Sequence, residues 1–259
     1  MKKLLIITLT VFASMSTPAI AQTVTYGNTN TWFLLMNRFY LSDKFTISNE
    51  LHERTGAFLH DQATFIFRPS VDYSLNNNTE VSVGYSYVRS TPYLPYSLQI
   101  PINEHNIWEQ ILLKFNAGKV HIMNRIRFEH RFIDNVVVYY PNVNPLSRVE
   151  GTKYANRFRF RFNLSFDLAK INKGKHTIFV NAFDEAWINQ SDNLMPTNMG
   201  RNWIYTGLGY KFNKDFNIQL AHLHQYDRVG NNNYISSSII QLSLFKNFTL
   251  YKSKAVTEQ

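Results

Sequence analysis

The chain of 259 residues contains no cysteine, 44% apolar residues, 15% aromatic residues and 17% charged residues, with a formal net charge of +9. This composition excludes a disordered chain, because it offers enough apolar surface for a folded core. The lack of cysteine excludes a disulfide framework, a thiolate zinc site and a lipid-modified N-terminal cysteine. A mean hydropathy of -0.27 without long apolar runs excludes a helical membrane protein, and the many Phe and Tyr residues favour β structure.

The N-terminal residues predict a secretory signal peptide at 1–21. A basic start is followed by an apolar segment at 4–13 that is too short to span a bilayer. Small residues then precede the predicted cleavage between Ala21 and Gln22, while polar residues and a proline argue against an uncleaved anchor helix. The remaining residues, 22–259, show no linker or composition shift, so we expect a single exported domain.

Eleven later segments have the alternating pattern of β-strands and are bounded by Asn, Asp, Gly, Pro or Lys. They lie at 31–41, 45–54, 63–75, 79–89, 106–116, 119–132, 155–168, 175–188, 201–212, 216–226 and 234–250. Soluble strands average about five or six residues, whereas a strand tilted across a bilayer needs about nine to eleven. The segment lengths therefore predict transmembrane strands.

The connections between these segments alternate between tight turns and long loops. The turns lie at 42–44, 76–78, 116–118, 170–174 and 213–215, and the loops at about 55–62, 90–105, 133–154, 189–200 and 227–233. A soluble sandwich has no reason to sort its connections in this way, whereas a membrane barrel has short turns on one side and long loops on the other. We therefore predict an all-β fold, a transmembrane antiparallel up-and-down β-barrel of about 12 strands (10–12).

The strand count raises a problem of parity. Eleven strands would close the barrel through a parallel contact, which even-numbered antiparallel barrels avoid. We therefore expect residues 23–31 to supply a twelfth strand running upward or, as the preferred alternative, a stretch threaded through the lumen.

Two consecutive segments, 119–132 and 155–168, carry a row of arginines on their polar faces. These are Arg125, Arg127, Arg131, Arg157, Arg159 and Arg161. Such rows would attract anions and set the selectivity of a pore. In the alternative and stronger interpretation, lumenal carboxylates tie the arginines into a network that conducts nothing. The candidate carboxylates are Glu129, Asp167 and Glu185.

Several stretches are similar to a known family. They are 107–114, RIRFEHRF at 125–132, NRFRFR at 156–161, 183–185 and 207–213. In their order along the chain they resemble the domain of unknown function 2490 family, over nearly the whole predicted mature chain. This resemblance implies a Gram-negative outer-membrane-type β-barrel, and it brings no established activity, ligand or catalytic residue.

Enzymatic chemistry has weak support. Barrel hydrolases present a Ser and a His on the outer rim, often two residues apart along a strand, and no His-x-Ser pair occurs in this sequence. His222 and His224 share a strand face, but two histidines without a third ligand are a weak metal signal. We predict that the protein is not an enzyme and that it needs no metal and no cofactor.

The basic charge does not predict a nucleic-acid partner, because it falls on inward-facing positions of an exported protein. The expected partners are outer-membrane lipid, lipopolysaccharide and the barrel-assembly machinery. Eight aromatic residues near the loops are predicted to form an interfacial girdle, with sugar binding as the alternative. They are Trp32, Tyr87, Tyr93, Tyr96, Trp108, Trp187, Trp203 and Tyr226.

Together these features predict a monomeric barrel in the outer membrane. As a function we expect a narrow passive, porin-like channel with an arginine-rich lumen that favours anions. The alternative is a closed barrel that acts through its loops at 90–105 and 133–154, which are long for passive connectors. A lipid-modifying enzyme of the outer membrane is the least supported class.

Overall fold

The computed structural model describes residues 23–27, 29–96, 98–140, 145–190, 199–230 and 233–251. No helix in these ranges is long and apolar enough to cross a membrane. The predicted signal peptide at 1–21 and its cleavage between Ala21 and Gln22 lie outside the described residues and stay predictions.

The described chain consists of twelve strands joined in one sheet. They are β1 (Thr23–Tyr26), β2 (Asn30–Tyr40), β3 (Phe45–Gly56), β4 (Asp61–Asn76), β5 (Thr79–Ser90), β6 (Ile102–Ala117), β7 (Val120–Tyr139), β8 (Leu146–Ile171), β9 (His176–Asn189), β10 (Met199–Asn213), β11 (Phe216–Arg228) and β12 (Asn233–Thr249). Each predicted segment corresponds to one of β2 to β12, and the all-β barrel prediction is confirmed. Tight turns lie at one end, the turn side, and the long connections lie at the other, the loop side.

The barrel closes through β2 and β12, which pair in parallel from Asn30 and Ile239 to Tyr40 and Thr249. The result is a closed barrel of eleven strands with β1 as an extra strand. β1 also pairs in parallel with β12, so the expected upward twelfth strand, or lumenal stretch, at 23–31 is wrong.

The reason for this closure is that β1 and β2 act as one interrupted partner strand for β12. Tyr26 lies opposite Ser236 and Asn30 opposite Ile239, so one extra residue of the N-terminal segment is accommodated at the break. The Gly27 N–H donates to the Ser236 carbonyl at 2.8 Å and bridges it. The parallel ladder satisfies the backbone groups that an open edge of β12 would leave unpaired.

The two faces of the barrel differ in polarity. Its outer face carries exposed apolar side chains along the middle of the strands. They include Phe67, Val71, Val83, Ile107, Ile111, Leu164, Phe166, Ile204, Leu208, Leu220 and Ile240. The inner face carries buried Arg, Glu, Asp, Ser, Asn and Gln residues. This arrangement is the reverse of that of a water-soluble barrel, whose interior is apolar.

The hairpin of β7 and β8 projects beyond its neighbours on the loop side. β6 pairs with β7 only as far as Ile133, and β9 pairs with β8 only from Arg157 onward. Residues 134–139 and 146–156, the projecting hairpin, therefore extend past the rest of the barrel, and their ladder continues to the pair of Tyr139 and Leu146.

Candidate functional site in the barrel lumen

Side chains alternate between the two faces of each strand, and the register of β7 and β8 therefore places all six arginines of the predicted rows inside the barrel. Arg125 lies opposite Arg161, and Arg127 opposite Arg159. Like charges at directly opposite positions repel one another unless carboxylates lie between them. The structure brings two fully buried glutamates, Glu129 and Glu185, to these positions.

Glu185 of β9 is the centre of the first cluster. Its carboxylate accepts hydrogen bonds from Arg125 Nη2 at 2.5 Å, Arg159 Nε at 2.8 Å and Arg161 Nε at 2.9 Å. The side chain is 0% exposed. Three guanidinium groups thus converge on one carboxylate that has no contact with solvent.

Glu129 of β7 is the centre of the second cluster. It accepts from Arg157 Nε at 2.5 Å and from Arg159 Nη1 at 2.8 Å. Because Arg159 also binds Glu185, its guanidinium links the two clusters into one network across β7, β8 and β9. Charge-assisted hydrogen bonds of this kind satisfy buried charges that would otherwise be very costly.

Arg131 binds a carboxylate that the sequence analysis missed. Its Nε and Nη2 atoms donate to Glu104 of β6 at 2.8 and 2.7 Å, in a two-pronged contact. The predicted segment begins at residue 106, whereas β6 begins at Ile102, so Glu104 lies in the predicted loop at 90–105 and in the observed strand. Extending the alternation by one further inward position, beyond Asn106, would have found it.

Asp167 differs from the other predicted carboxylates. It lies near the turn side, where its carboxylate accepts from Lys211 Nζ at 3.0 Å and contacts His121 Nε2 at 3.4 Å. Among the described residues it makes no ion pair with an arginine. The basic partners of Asp167 near the turn side are thus a lysine and a histidine, and Asp167 does not belong to the arginine network.

The predicted aromatic girdle is wrong for all four tryptophans of the chain. Trp32, Trp108, Trp187 and Trp203 are 2–5% exposed and lie inside the lumen. Arginine guanidinium planes stack on their rings: Arg159 lies 3.8 Å above Trp187, Arg127 4.0 Å above Trp108 and Arg54 4.0 Å above Trp32. Stacking of this kind lets an indole share a face with charged residues.

The tryptophans also help to close the lumen. Trp32 of β2 contacts Trp203 of β10 with ring centroids 5.3 Å apart, and Trp203 contacts Trp187 at 4.6 Å. Tyr205, Ala221, Leu223 and Ile239 complete this cluster of buried side chains. We call the cluster, together with Arg54, Arg159, Glu129 and Glu185, the lumenal plug.

A second closure lies on the loop side, where the connection between β5 and β6 folds over the barrel mouth. The Tyr96 hydroxyl donates to Asp227 of β11, and Gln225 Nε2 donates to the Tyr96 oxygen at 2.9 Å. Burial raises the pKa of Tyr96 above its ordinary value and that of Tyr93 to about 12. Both phenols therefore stay neutral hydrogen-bond donors well into alkaline solution.

A cavity of about 440 Å³ extends from the plug toward the turn side. Its wall includes plug residues such as Arg54 and Arg159 and turn-side residues such as Lys211 and Asn217. Lys211 is about one-third exposed, in contrast to the plug. The lumen is thus a pocket that is closed toward the loops.

The outward-facing histidines of β11 contact serines of β12. His222 Nε2 lies 2.8 Å from Ser238 Oγ, and His224 Nε2 lies 2.9 Å from Ser236 Oγ. Within the described part of the chain neither imidazole contacts a carboxylate that would orient it for catalysis. The same part contains no group of three metal-ligating side chains.

A family model described as "Protein of unknown function (DUF2490)" matches residues 29–236. The chain belongs to the DUF2490 family. The match runs from the start of β2 into β12 and so covers nearly the whole DUF2490 barrel. No curated protein and no solved structure matches the chain.

Proposed function

We propose that this DUF2490 protein is an outer-membrane β-barrel, exported by the signal peptide at 1–21, whose lumen is a closed pocket instead of a passive channel. The exposed apolar band on the outside and the polar inside support a bilayer location. The strand lengths and the sorting of turns and loops to opposite ends support it as well. Lipid, lipopolysaccharide and the assembly machinery are then the partners that the barrel meets in the membrane.

The observation that carries the closed lumen is the burial of Glu129 and Glu185. Both are 0% exposed although they lie on the inner face of a barrel, where a water-filled channel would hydrate them. Among the described residues, five of the six predicted arginines donate to carboxylates, and these pairs hold the guanidinium groups against the wall instead of along an open path. Of the two interpretations of the arginine rows, this favours the closed network over the channel.

Conductance across planar bilayers tests this proposal. The refolded full chain, shown to be folded by its heat-modifiable gel mobility, should give no steady conductance. Trp203→Ala combined with Tyr96→Phe removes one plug ring and the hydroxyl that closes the mouth, and this variant should show conducting steps. Steady anion-selective conductance of the unmodified protein would contradict the closed lumen.

A second candidate function, binding through the projecting hairpin, rests on its unusual exposure. Tyr140 and Leu146 at its end are 75% and 62% exposed, and Arg148 and Lys153 add basic groups. We propose lipopolysaccharide phosphates as the surface that it contacts. Arg148→Glu with Lys153→Glu should weaken binding to lipopolysaccharide-containing vesicles, and unchanged binding would remove this candidate.

A further inference from the structure

Two buried arginines of the lumenal cavity have no close carboxylate partner. Arg54 is 7% exposed, and its guanidinium donates to His52 Nδ1 from Nη2 at 3.0 Å. No carboxylate oxygen of the described residues lies within ion-pair distance of Arg54. Arg127 is 3% exposed and donates twice to the neutral Gln110 Oε1, at 3.1 and 2.8 Å. The carboxylate nearest to it belongs to Glu129, at 3.9 Å.

The cavity wall also presents buried hydrogen-bond donors without acceptors. Within the described residues these are Arg38 Nε, His52 Nε2, Arg125 Nε, Arg127 Nη1 and Trp187 Nε1, against one acceptor on the same wall, Asn181 Oδ1. His52 belongs in this set because the Arg54 guanidinium has only donors, so Nδ1 must accept and Nε2 carries the proton. Buried polar groups without partners are rare and costly. A set made almost entirely of donors indicates a missing acceptor.

Charge points in the same direction as the donors. Of the described side chains that line the cavity, eight are basic and three are acidic. Glu129, Glu185 and Asp167 bind basic residues of this wall without lining it themselves, and the basic groups still outnumber the acidic ones, by eight to six. Buried charges need a compensating partner. The excess of basic side chains on the cavity wall is therefore suited to a bound anion.

Three of the unpaired donors, those of His52, Arg125 and Arg127, lie in the neighbourhood of one carboxylate. The carboxylate of Glu50, which Arg68 Nη1 holds at 2.5 Å, is within electrostatic reach of His52, Arg125 and Arg127. Arg54 interacts with the same carboxylate. Apolar side chains cover other parts of the wall, among them Leu112, Met123, Phe179, Phe183 and Phe245. The site thus combines an anion-binding region with an apolar one.

We propose that this cavity is a binding site for a small organic anion that enters from the turn side. A carboxylate or phosphate group accepts hydrogen bonds from His52, Arg54, Arg125 and Arg127, and an apolar body packs on the phenylalanines. A volume of about 440 Å³ lies in the range of small-molecule pockets. The inference rests on the proposed closed lumen, because an open channel would hold water and salt at these donors.

Tryptophan fluorescence of the full chain in uncharged detergent is a direct readout, since all four tryptophans lie inside the lumen. Hexanoate and hexyl phosphate should change the emission saturably, while hexanol and hexyltrimethylammonium should not. A response to only one of the two anions identifies the headgroup as carboxylate or phosphate. No saturable response to either anion from a folded barrel would overturn the site.

Substitution of Arg127 separates binding from structure. Arg127→Gln should weaken anion binding about tenfold to a hundredfold, as loss of a charge-assisted hydrogen bond predicts. Without ligand this variant should still fold, because the nearest carboxylate to the removed charge is 3.9 Å away, and its urea midpoint measures the loss of the contact with Trp108. Arg54→Gln should behave in the same way, and Arg89→Gln is the matched control, because Arg89 is exposed on β5 and contacts Asn103 at 3.5 Å. Unchanged affinity in both lumenal variants would contradict the proposal.

The conductance measurement distinguishes a wrong anion site from a wrong proposal of a closed lumen. A non-conducting barrel that ignores both anions would refute the anion site and leave the closed lumen in place. A conducting unmodified barrel would refute the closed lumen, and with it the pocket on which the anion site depends.

Discussion

Arg159 and Glu185 form one of the two most deeply buried ion pairs of the described network, with Nη2 and Oε1 2.7 Å apart and side-chain exposures of 2% and 0%. The pair joins β8 to β9, and Arg159 extends the contact to Glu129 on β7. Because three arginines share Glu185, this one carboxylate offsets several like charges. The stability of the barrel interior should therefore depend on it.

Glu185→Gln should destabilise the barrel by about 3–5 kcal/mol, because it leaves buried guanidinium groups uncompensated. The measurement is the urea midpoint at which the heat-modifiable band is lost. Glu109→Gln is the matched control, since Glu109 faces outward, is half exposed and forms an ion pair with His130 at 3.5 Å instead of with an arginine of the described residues. Equal midpoints for the two variants would show that the network contributes little to stability.

The parallel seam between β2 and β12 can be tested with disulfides, because the chain has no cysteine of its own. Leu35 and Leu244 are direct partners across the seam. Leu35→Cys with Leu244→Cys should therefore form a disulfide and change the mobility on a non-reducing gel. An additional strand between β2 and β12 would separate these positions by about 9–10 Å, beyond disulfide reach.

The control for the seam is Leu35→Cys with Ile240→Cys. Ile240 is the partner of Thr31, so it lies four residues along the strand from the partner of Leu35, a distance of about 13 Å. This pair should stay reduced in the same oxidising conditions. Crosslinking of the control pair, or none in the direct pair, would contradict the observed register.

The sequence was sufficient to predict the positions of the strands. It was not sufficient to predict how the barrel closes or how its lumen is filled. Strand alternation is a local property, and it placed Arg159 and Glu129 on inward faces without knowledge of their neighbours. The seam depends on which edges meet, and a general preference for even strand numbers gave the wrong answer for residues 23–31. The position of Tyr96 over the mouth depends on how a long loop folds back, which no strand pattern encodes.

The tryptophans show a different kind of error. Trp108 shares its strand face with Asn106 and Gln110, so strand alternation alone predicts an inward position. The frequency of tryptophan at membrane interfaces predicts an outer girdle instead, and the burial of Trp108 contradicts it. Guanidinium stacking explains why the pattern was the better guide, since the Arg127 group covers the ring at 4.0 Å.

Gly84 makes room for Trp108, and its replacement should displace this ring inside the lumen. A Cβ atom at Gly84 would lie 2.2 Å from Cζ2 of the Trp108 ring. The ring cannot move without losing the hydrogen bond from Nε1 to Ser86 Oγ at 3.0 Å. Gly84→Ala should therefore cost about 1–3 kcal/mol, as overpacking does.

The measurement for Gly84→Ala is the urea midpoint together with the tryptophan emission maximum. Ser82→Ala is the control, because Ser82 lies on the same face of β5, is 4% exposed and has a hydroxyl without a partner among the described residues. The control should leave both readouts nearly unchanged. A Gly84→Ala variant that also leaves them unchanged would show that Trp108 is loosely held.

Tyr96→Phe should open the barrel mouth while leaving the wall intact. The substitution removes the hydroxyl that donates to Asp227, and Asp227 keeps its ion pair with Arg201 on β10. Acrylamide should then quench the lumenal tryptophans more strongly, with little change in the urea midpoint. Tyr85→Phe is the control, since the Tyr85 hydroxyl contacts His105 on the outer face at 2.6 Å.

The same quenching measurement tests the pH range over which the mouth stays closed. Because burial and the nearby Asp227 carboxylate raise the pKa of Tyr96 above its ordinary value of 10.0, the folded protein favours the neutral phenol. The stability that this contact contributes is present below pH 10 and is lost as the pH rises toward the folded-state pKa. Quenching of the unmodified protein should therefore stay constant from pH 7 to pH 10. A rise within that range, absent in Tyr96→Phe, would mean that the phenol ionises early and that the mouth is held by other contacts.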